Sequence, residues 1–377
     1  METIALSSTP APDESGAVRY NRIKIRLSII DIVLSAVLLA VLAFSGIATL
    51  LLGYISSYTE NEYFQFLLFL TIAGTASAIF TIPLDFYGGF MLEHRFGLSH
   101  QTLRSWCAES LKSLAVTIAL GVPIALLFFF FLRTSGALWW LYFSVAIIGV
   151  AVLLARIAPI VLFPLFYKFT PVSNDDIRSR IETLLAANNI DIRGIYSFNM
   201  SKDTRKANAG FTGIGKSRRI LLSDTLLENF SPEEIEVIFA HEIGHYVKRH
   251  ILKNIFFSSA VILLTFYLCG LLYAETVAHM GFSTLYQIDA IPVLLLYLSV
   301  FGFVCMPLTN AISRRYERQA DRIAIEFTRG RDAFISGMEK IARLNLAEIQ
   351  PHPLVEFLLY SHPSIAKRID FARKIQP

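Results

Sequence analysis

The chain has 377 residues, of which 54% are hydrophobic and 17% are charged, a balance too apolar for an ordinary soluble domain of this size. The net charge of +4 is small and spread along the chain, whereas nucleic-acid binding needs a clustered basic face, so no nucleic-acid partner is expected. The composition therefore predicts a protein whose main partner is the lipid bilayer.

The hydrophobic residues are concentrated in long runs. Residues 1–18 are polar and contain proline and serine, so we expect a disordered tail there. A helix needs about 20 apolar residues to cross the hydrocarbon core. Six stretches reach or approach that length, at 27–52, 64–84, 113–132, 138–158, 255–273 and 290–309.

Lysine and arginine are unevenly divided among the loops. The loops 53–63 and 274–289 contain neither residue, whereas both occur before the first predicted span and in the loop 85–112. The positive-inside rule therefore places both termini, the loop 85–112 and the region 169–254 in the cytosol. We expect a multi-pass protein of a bacterial inner membrane or, in a eukaryote, of the endoplasmic reticulum.

The segment FAHEIGHYVKRH contains an HExxH motif formed by His241, Glu242 and His245. On a helix, residues four apart face the same way, so both imidazoles can reach one cation. Zinc in catalytic sites takes three protein ligands and keeps an open position for water. Glu242 lies beside that position and can accept the proton of the water.

A long helix is predicted around this motif. Ser231, Pro232 and Glu234 have the order of a capping box with proline in the first turn. Gly244 is the only glycine or proline between Pro232 and Gly270. One continuous helix that runs into the fifth span is therefore expected.

The third metal ligand is expected on another helix, and Glu317 in NAISRRYERQADRIA is the best candidate. Asp321 lies one turn further on the same face, where it can accept the free ring N–H of a ligating histidine. The alternative for both acids is a salt-bridged helix face among the neighbouring arginines. The other histidines, His94, His100, His250, His279 and His352, show no ligand spacing and are expected at the surface or the membrane interface.

Several segments resemble the integral-membrane CAAX prenyl endopeptidase family and, more distantly, the HtpX-like proteases. HEIGHYVKRH is similar to the zinc helix of the family, and NAISRRYERQAD to its Asn-x-x-Ser-Arg-x-x-Glu-x-x-Ala-Asp segment. KANAGFTGIGKSRRILLSDTLL resembles its Asn-Ala hairpin, and YSHPSIAKRI its C-terminal His-Pro segment. LEHRFGLSHQTLR resembles a signature of the CAAX branch that HtpX-like proteins lack.

The resemblance implies a role for each matched residue. His241, His245 and Glu317 would bind one zinc ion per chain, with Glu242 as general base. His362 would stabilise the oxyanion of the tetrahedral intermediate. Asn208 and Ala209 would lie on an edge strand that pairs with extended substrate.

We therefore predict a predominantly α, multi-span helical membrane protein with a zincin-like α+β metallopeptidase lobe in the cytosol. The N-terminal four-span region would cover 19–168, and the zinc metallopeptidase domain 169–377. The predicted activity is hydrolysis of membrane-associated or CAAX-like C-terminal peptides by a monomer. Six spans are counted where eukaryotic members have seven, and the shorter chain also fits bacterial members, whose hosts lack protein prenylation. Quality-control cleavage of misfolded membrane proteins, as in HtpX-like proteases, is therefore the alternative.

Two other classes of function are open to the sequence. Residues 210–217 match the P-loop pattern, but a strand rather than a helix is predicted after them, so a hairpin is favoured over nucleotide binding. A non-catalytic membrane scaffold with a structural metal is the third reading. Retention of the general base and of an open metal position argues against it.

Overall fold

The computed structural model describes residues 14–190, 194–213 and 219–375. The first part of the chain is helical. In chain order it contains α1 (Glu14–Phe44), α2 (Ile47–Ser56), α3 (Glu62–Phe86), α4 (Leu92–Arg95), α5 (Leu103–Thr134), α6 (Trp139–Ile157) and α7 (Phe163–Phe166). A π-helical turn, Tyr87–Met91, joins α3 to α4.

The second part combines short strands with helices. It contains β1 (Phe169–Pro171), α8 (Asp175–Ala187), β2 (Ile195–Phe198), β3 (Ala209–Thr212), β4 (Arg219–Ser223), α9 (Asp224–Asn229), α10 (Pro232–Val247), α11 (His250–His279), α12 (Ile291–Thr328), α13 (Arg331–Asn345), α14 (Pro353–Leu359) and α15 (Ile365–Lys374).

Six helical segments among the described residues are long and apolar enough to cross a membrane, and they overlap the six predicted stretches. They are α1, the α3–α4 segment, α5, α6, α11 and α12. The multi-pass prediction is thus confirmed, but the stretch 27–52 is not one helix. The chain breaks at Gly46, whose φ of 80° is left-handed, and α2 begins after it.

The predicted N-terminal tail, residues 1–18, overlaps the first helix. Residues 1–13 lie outside the described part of the chain, whereas residues 14–18 already belong to α1. The tail prediction is therefore too long by those five positions.

A small sheet lies beside α10 in the order β1-β2-β4-β3, so β3 is an edge strand. β2 and β4 are parallel, whereas β3 and β4 form an antiparallel pair with Phe211 opposite Ile220. This pair confirms the two strands of the predicted hairpin, whose turn lies outside the described residues. Since β4 begins at Arg219, the helix that a P-loop requires does not follow.

The molecule has two principal apolar cores. One lies in the lobe and joins α8, β4, α10 and α13 through fully buried residues such as Ile181, Leu222 and Phe239. The other lies among the long apolar helices and includes Phe129 and Tyr273. The α+β lobe on a helical membrane bundle is therefore confirmed.

Helix α4 and the loop after it contact the lobe directly. Glu93 Oε2 lies 2.8 Å from Lys206 Nζ, and the Tyr20 hydroxyl of α1 donates to Glu93 Oε1 at 2.6 Å. The backbone of Arg205 donates to the carbonyl of Leu98 at 2.9 Å. The start of α1, the loop 85–112 and the lobe therefore meet at one end of the helical bundle. The distribution of lysine and arginine predicts that these segments lie on the same side of the membrane, in agreement with this arrangement. That this side is the cytosol stays a prediction.

The helix of the HExxH motif is shorter than predicted. α10 ends at Val247, and Arg249 adopts a left-handed conformation with φ of 54° before α11 begins. The prediction of one continuous helix is wrong, because this break falls on a residue without the glycine or proline signal that usually marks one.

Candidate metal centre and active site

The start of α10 is fixed by the predicted capping box. Ser231 Oγ accepts a hydrogen bond from the backbone of Glu234, and Glu234 Oε2 accepts one from the backbone of Ser231. Glu234 is also bound by Ser336 Oγ and Lys340 Nζ, each at 2.6 Å, which fastens α10 to α13. Burial alone would raise the pKa of Glu234, but the hydrogen bonds from Lys340 and Ser336 outweigh it and lower the pKa.

Two helices bring the predicted metal ligands together. His241 and His245 lie on α10, and Glu317 lies on α12. The His241 and His245 Nε2 atoms are 3.2 Å apart, and Glu317 carboxylate oxygens lie 3.3 Å from the first and 3.4 Å from the second. These atoms form a group that can hold one metal ion.

The donor set fits a tetrahedral cation. At bond lengths of about 2.0–2.1 Å, two ligand atoms of a tetrahedral zinc ion lie about 3.3–3.4 Å apart, and the three separations of 3.2, 3.3 and 3.4 Å lie within about 0.1 Å of that range. Among the described residues, Glu317 Oε2 is buried without a hydrogen-bond partner. A cation bound at this point would compensate the desolvation of that oxygen.

A buried ion pair between Asp321 and Arg368 contacts the Nδ1 side of His241. Asp321 Oδ1 lies 2.9 Å from His241 Nδ1, and both oxygens of Asp321 accept hydrogen bonds from Arg368 of α15. Burial alone would lower the pKa of His241, but the adjacent carboxylates of Asp321 and Glu317 raise it to about 10 in the metal-free form. The same Asp321 carboxylate raises the pKa of Arg368 despite its burial. Asp321 thus lies where the sequence predicts, and its supporting role stays a prediction.

Glu242 faces the strand edge. Its Oε2 accepts a hydrogen bond from the backbone N–H of Phe211 in β3 at 2.9 Å. The side chain is half-buried and lines the same cavity as His241 and Glu317. The carboxylate is thereby oriented beside the candidate metal position.

His362 lies at the rim of the site. Its Nε2 is 3.5 Å from Glu317 Oε1, and 61% of its side chain is exposed. Arg314 holds the segment before it by donating to the carbonyls of Tyr360 and Glu356, at 2.6 and 3.0 Å. The surrounding recess and the nearby Arg368 lower the pKa of His362 against the pull of Glu317, which favours the neutral imidazole.

A cavity of about 360 Å³ connects these groups to β3. Asn208 and Ala209 line it on one side, and apolar side chains line it on the other, including Ile238, Met338 and Ile341. The backbone of Ser223 donates to the carbonyl of Asn208. Because backbone groups alternate in direction along an antiparallel pair, Asn208 bonds to β4, while the N–H groups of Ala209 and Phe211 point to the free edge.

Three features of the site were not predicted from the sequence. His250, expected at the surface or the membrane interface, is 1% exposed and lies 3.0 Å from His245 inside the protein, so that expectation is wrong. Arg368 and the Phe211 N–H were not proposed at all. His250 lies only five residues after His245 in the sequence HExxHxxxxH, and this short separation was the available signal. On a continuous helix, however, the ring of His250 would point away from His245. The partner of Arg368 is 47 residues distant, a separation that no local pattern reports.

Comparison with known proteins shows the family to which this chain belongs. The model for peptidase family M48 matches residues 171–376, and the model for the N-terminal region of CAAX prenyl proteases, with five membrane helices, matches residues 12–168. This chain belongs to peptidase family M48. It is a multi-pass membrane metalloprotease, and its N-terminal region contains four long apolar helices and the shorter α2 among the described residues.

Individual M48 relatives cover most of the chain. It is 32% identical over 362 residues to the uncharacterized metalloprotease YhfN of Bacillus subtilis, covering 95% of this chain and 85% of that protein. It is 32% identical over 326 residues to CAAX prenyl protease 1 of Saccharomyces cerevisiae, covering 81% and 71%. The crystal structure of S. mikatae Ste24p superposes with a TM-score of 0.85 at 26% identity, covering 97% of this chain and 92% of that one. The resemblance to CAAX prenyl proteases is therefore confirmed, and membership of M48 implies a metal.

Proposed function

We propose that this M48 peptidase is a zinc endopeptidase that cleaves peptide bonds of membrane-associated substrates next to the cytosolic face of the bilayer. The observation that carries the proposal is the convergence of His241, His245 and Glu317 on one point beside Glu242. In the described structure this group combines two imidazoles, one carboxylate and an adjacent acid, the composition of a catalytic zinc site.

Each residue has a separate task in the proposed reaction. When bound, a zinc ion with an open position supplies Lewis-acid activation of water and of the scissile carbonyl. Glu242 accepts the proton of the attacking water and later delivers it to the leaving amine. The neutral His362 donates a hydrogen bond from Nε2 to the oxygen on which negative charge develops. Asp321 holds His241 in the tautomer that leaves Nε2 free for the metal.

The edge of β3 is proposed to bind the substrate backbone. The N–H of Ala209 points away from β4 and into the cavity, which suits pairing with an extended peptide. The backbone of Asn208 bonds to β4, so its exposed side chain is the part available to substrate. The apolar wall opposite would take an aliphatic or aromatic substrate side chain.

The site lies close to the membrane surface in this proposal. Glu317 is 26 residues beyond the start of α12 at Ile291, which corresponds to about 39 Å of helix. The hydrocarbon core is about 30 Å thick, so Glu317 would lie just outside it. The positive-inside rule places that end of the bundle in the cytosol.

Two substrate classes fit this location. The relatives from yeast, mouse and human are called CAAX prenyl protease 1 or its homologue, which favours C-terminal CAAX-like peptides. Quality-control cleavage of misfolded membrane proteins is the second candidate, because backbone pairing along β3 would not depend on the side chains of the substrate. Synthetic CAAX peptides with and without a prenyl group, compared with an unrelated membrane-derived peptide, distinguish the two classes.

Glu242→Gln in the full-length protein tests the proposal. The variant is expected to keep stoichiometric zinc and to lose peptide cleavage, because the amide cannot accept a proton. Glu228→Gln, on the exposed surface of α9, is the matched control and should cleave normally. Retained cleavage in Glu242→Gln would exclude the general-base role. Peptides that accumulate in membranes of cells carrying this variant, measured by mass spectrometry, would report the substrates.

A further inference from the structure

His250 lies beside a candidate metal ligand although it belongs to the next helix. Its Nδ1 is 3.0 Å from Nδ1 of His245, and its Nε2 is 3.1 Å from Oε1 of Gln319 on α12. The ring stacks on Tyr316, with centroids 4.3 Å apart and planes inclined by 14°. With 1% exposure, this imidazole is enclosed between three helices.

The break between α10 and α11 makes this contact possible. On a continuous helix, residues five apart are separated by about 140° around the axis, so the two rings would point to different faces. The left-handed conformation of Arg249, with φ of 54° and ψ of 39°, redirects the chain immediately before His250. The ring is thereby turned back towards His245.

The hydrogen bonds define where the protons lie. Nε2 of His245 faces His241 and Glu317, so it must carry a lone pair in order to bind a metal, and the proton of the neutral ring is then on Nδ1. That N–H can donate only if Nδ1 of His250 accepts, which places the His250 proton on Nε2. The amide oxygen of Gln319 accepts this proton, so every atom in the chain has its complementary partner.

We propose that His250 is a positioning residue, which fixes the tautomer and ring orientation of His245 through a His245–His250–Gln319 chain of hydrogen bonds. This inference rests on the proposed role of His245 as a metal ligand. Asp321 accepts a hydrogen bond from Nδ1 of His241, and His250 accepts the corresponding bond from Nδ1 of His245. The difference is that His250 is a neutral acceptor. Since Asp321 already adds a buried negative charge, a neutral partner supports the second histidine without adding another.

Two substitutions at His250 separate hydrogen bonding from packing. His250→Phe keeps an aromatic ring on Tyr316 and removes the acceptor, whereas His250→Asn removes the ring and places an amide oxygen near the position of Nδ1. Zinc affinity of the full-length protein in detergent, measured by competition with a chelator, should fall about 10- to 100-fold in His250→Phe. His250→Asn should stay much closer to the unsubstituted protein. The visible absorption of the Co²⁺-loaded protein should change in the same order.

A packing role predicts the reverse order, so weaker zinc binding by His250→Asn than by His250→Phe would overturn the proposal. Unchanged affinity in His250→Phe would do so too. Thermal unfolding of the zinc-free proteins shows whether each variant folds. Gln319→Leu keeps the test decisive if His250→Phe does not fold: it should weaken zinc binding measurably, and no change would refute the chain. Failure of the unsubstituted protein to bind zinc would instead count against the proposed function.

Discussion

Gly244 of α10 lies so close to Ala320 of α12 that a Cβ atom added to the glycine would be 2.8 Å from the Cα atom of Ala320. This approach sets the distance between the helix that carries His241 and His245 and the helix that carries Glu317. The spacing of the candidate ligands therefore depends on a residue without a side chain.

Gly244→Ala is expected to weaken metal binding. In most helices this change is favourable by about 0.5–1 kcal/mol, but here the backbone contact must open at a cost of about 1–3 kcal/mol. Zinc content after purification and thermal unfolding in detergent measure the effect. Gly337→Ala is the matched control, because its added Cβ would meet its nearest neighbours at an ordinary 3.9 Å. Equal behaviour of the two variants would show that the close approach has no influence on the site.

Arg368→Met should destabilise the protein strongly. It leaves the fully buried carboxylate of Asp321 without its bidentate partner, and breaking a buried pair in this way costs about 3–5 kcal/mol. Arg373→Met, an exposed position on the same helix, should change stability by less than about 0.5 kcal/mol. Thermal unfolding of the zinc-free proteins compares them, and a similar shift for both would contradict a structural role for the Arg368–Asp321 pair.

Ala209→Pro tests whether substrate pairs with β3. Proline removes the N–H that points to the free edge and leaves the bonds between β3 and β4 in place, because those are made by the alternate residues. Loss of one backbone hydrogen bond of about 0.5–1.5 kcal/mol should lower kcat/KM roughly 2- to 10-fold. Gly210→Pro is the contrasting variant, since it removes a bond to β4 and should lower thermal stability instead. A normal kcat/KM in Ala209→Pro would mean that the substrate binds elsewhere.

Glu234→Gln should lower stability in a pH-dependent manner. The folded protein holds the pKa of Glu234 below the usual value of 4.5, so its contribution to stability is present above about pH 4.5 and is lost as the pH falls through the lower folded value. At neutral pH we expect a loss of about 1–3 kcal/mol, because the half-buried donors Ser336 and Lys340 lose a charged acceptor that is itself buried. Thermal unfolding should show a constant difference from the unsubstituted protein between pH 7 and about pH 5, and a difference that shrinks as the pH is lowered further to about pH 3. Glu339→Gln, exposed on α13, should show no such trend.

Local patterns predicted the residues that define the centre of the site. His241 and His245 follow from helical periodicity, and Glu317 with Asp321 follow from the same periodicity on a second helix. The structure brings all four together with the expected neighbours. The membrane spans were predictable for a similar reason, since a run of apolar residues has few alternatives to a helix in lipid.

The features that escaped prediction depend on tertiary contacts. Arg249 adopts a left-handed conformation that its residue type does not favour, so the break that places His250 against His245 has no local signal. Arg368 becomes part of the site only because α15 packs against α12. The break at Gly46 has a sequence signal in the glycine itself, yet this glycine lies within an apolar run whose composition alone predicts a continuous helix.

The open edge of β3 has a consequence for association between molecules. Exposed strand edges are templates on which other copies of a chain can add strands and aggregate. Here the edge faces α10 across a cavity, and the N–H of Phe211 is already bonded to Glu242. A neighbouring sheet that approached this edge would meet α10, whose Glu242 already holds the N–H of Phe211. The position of α10 therefore hinders edge-to-edge pairing at β3.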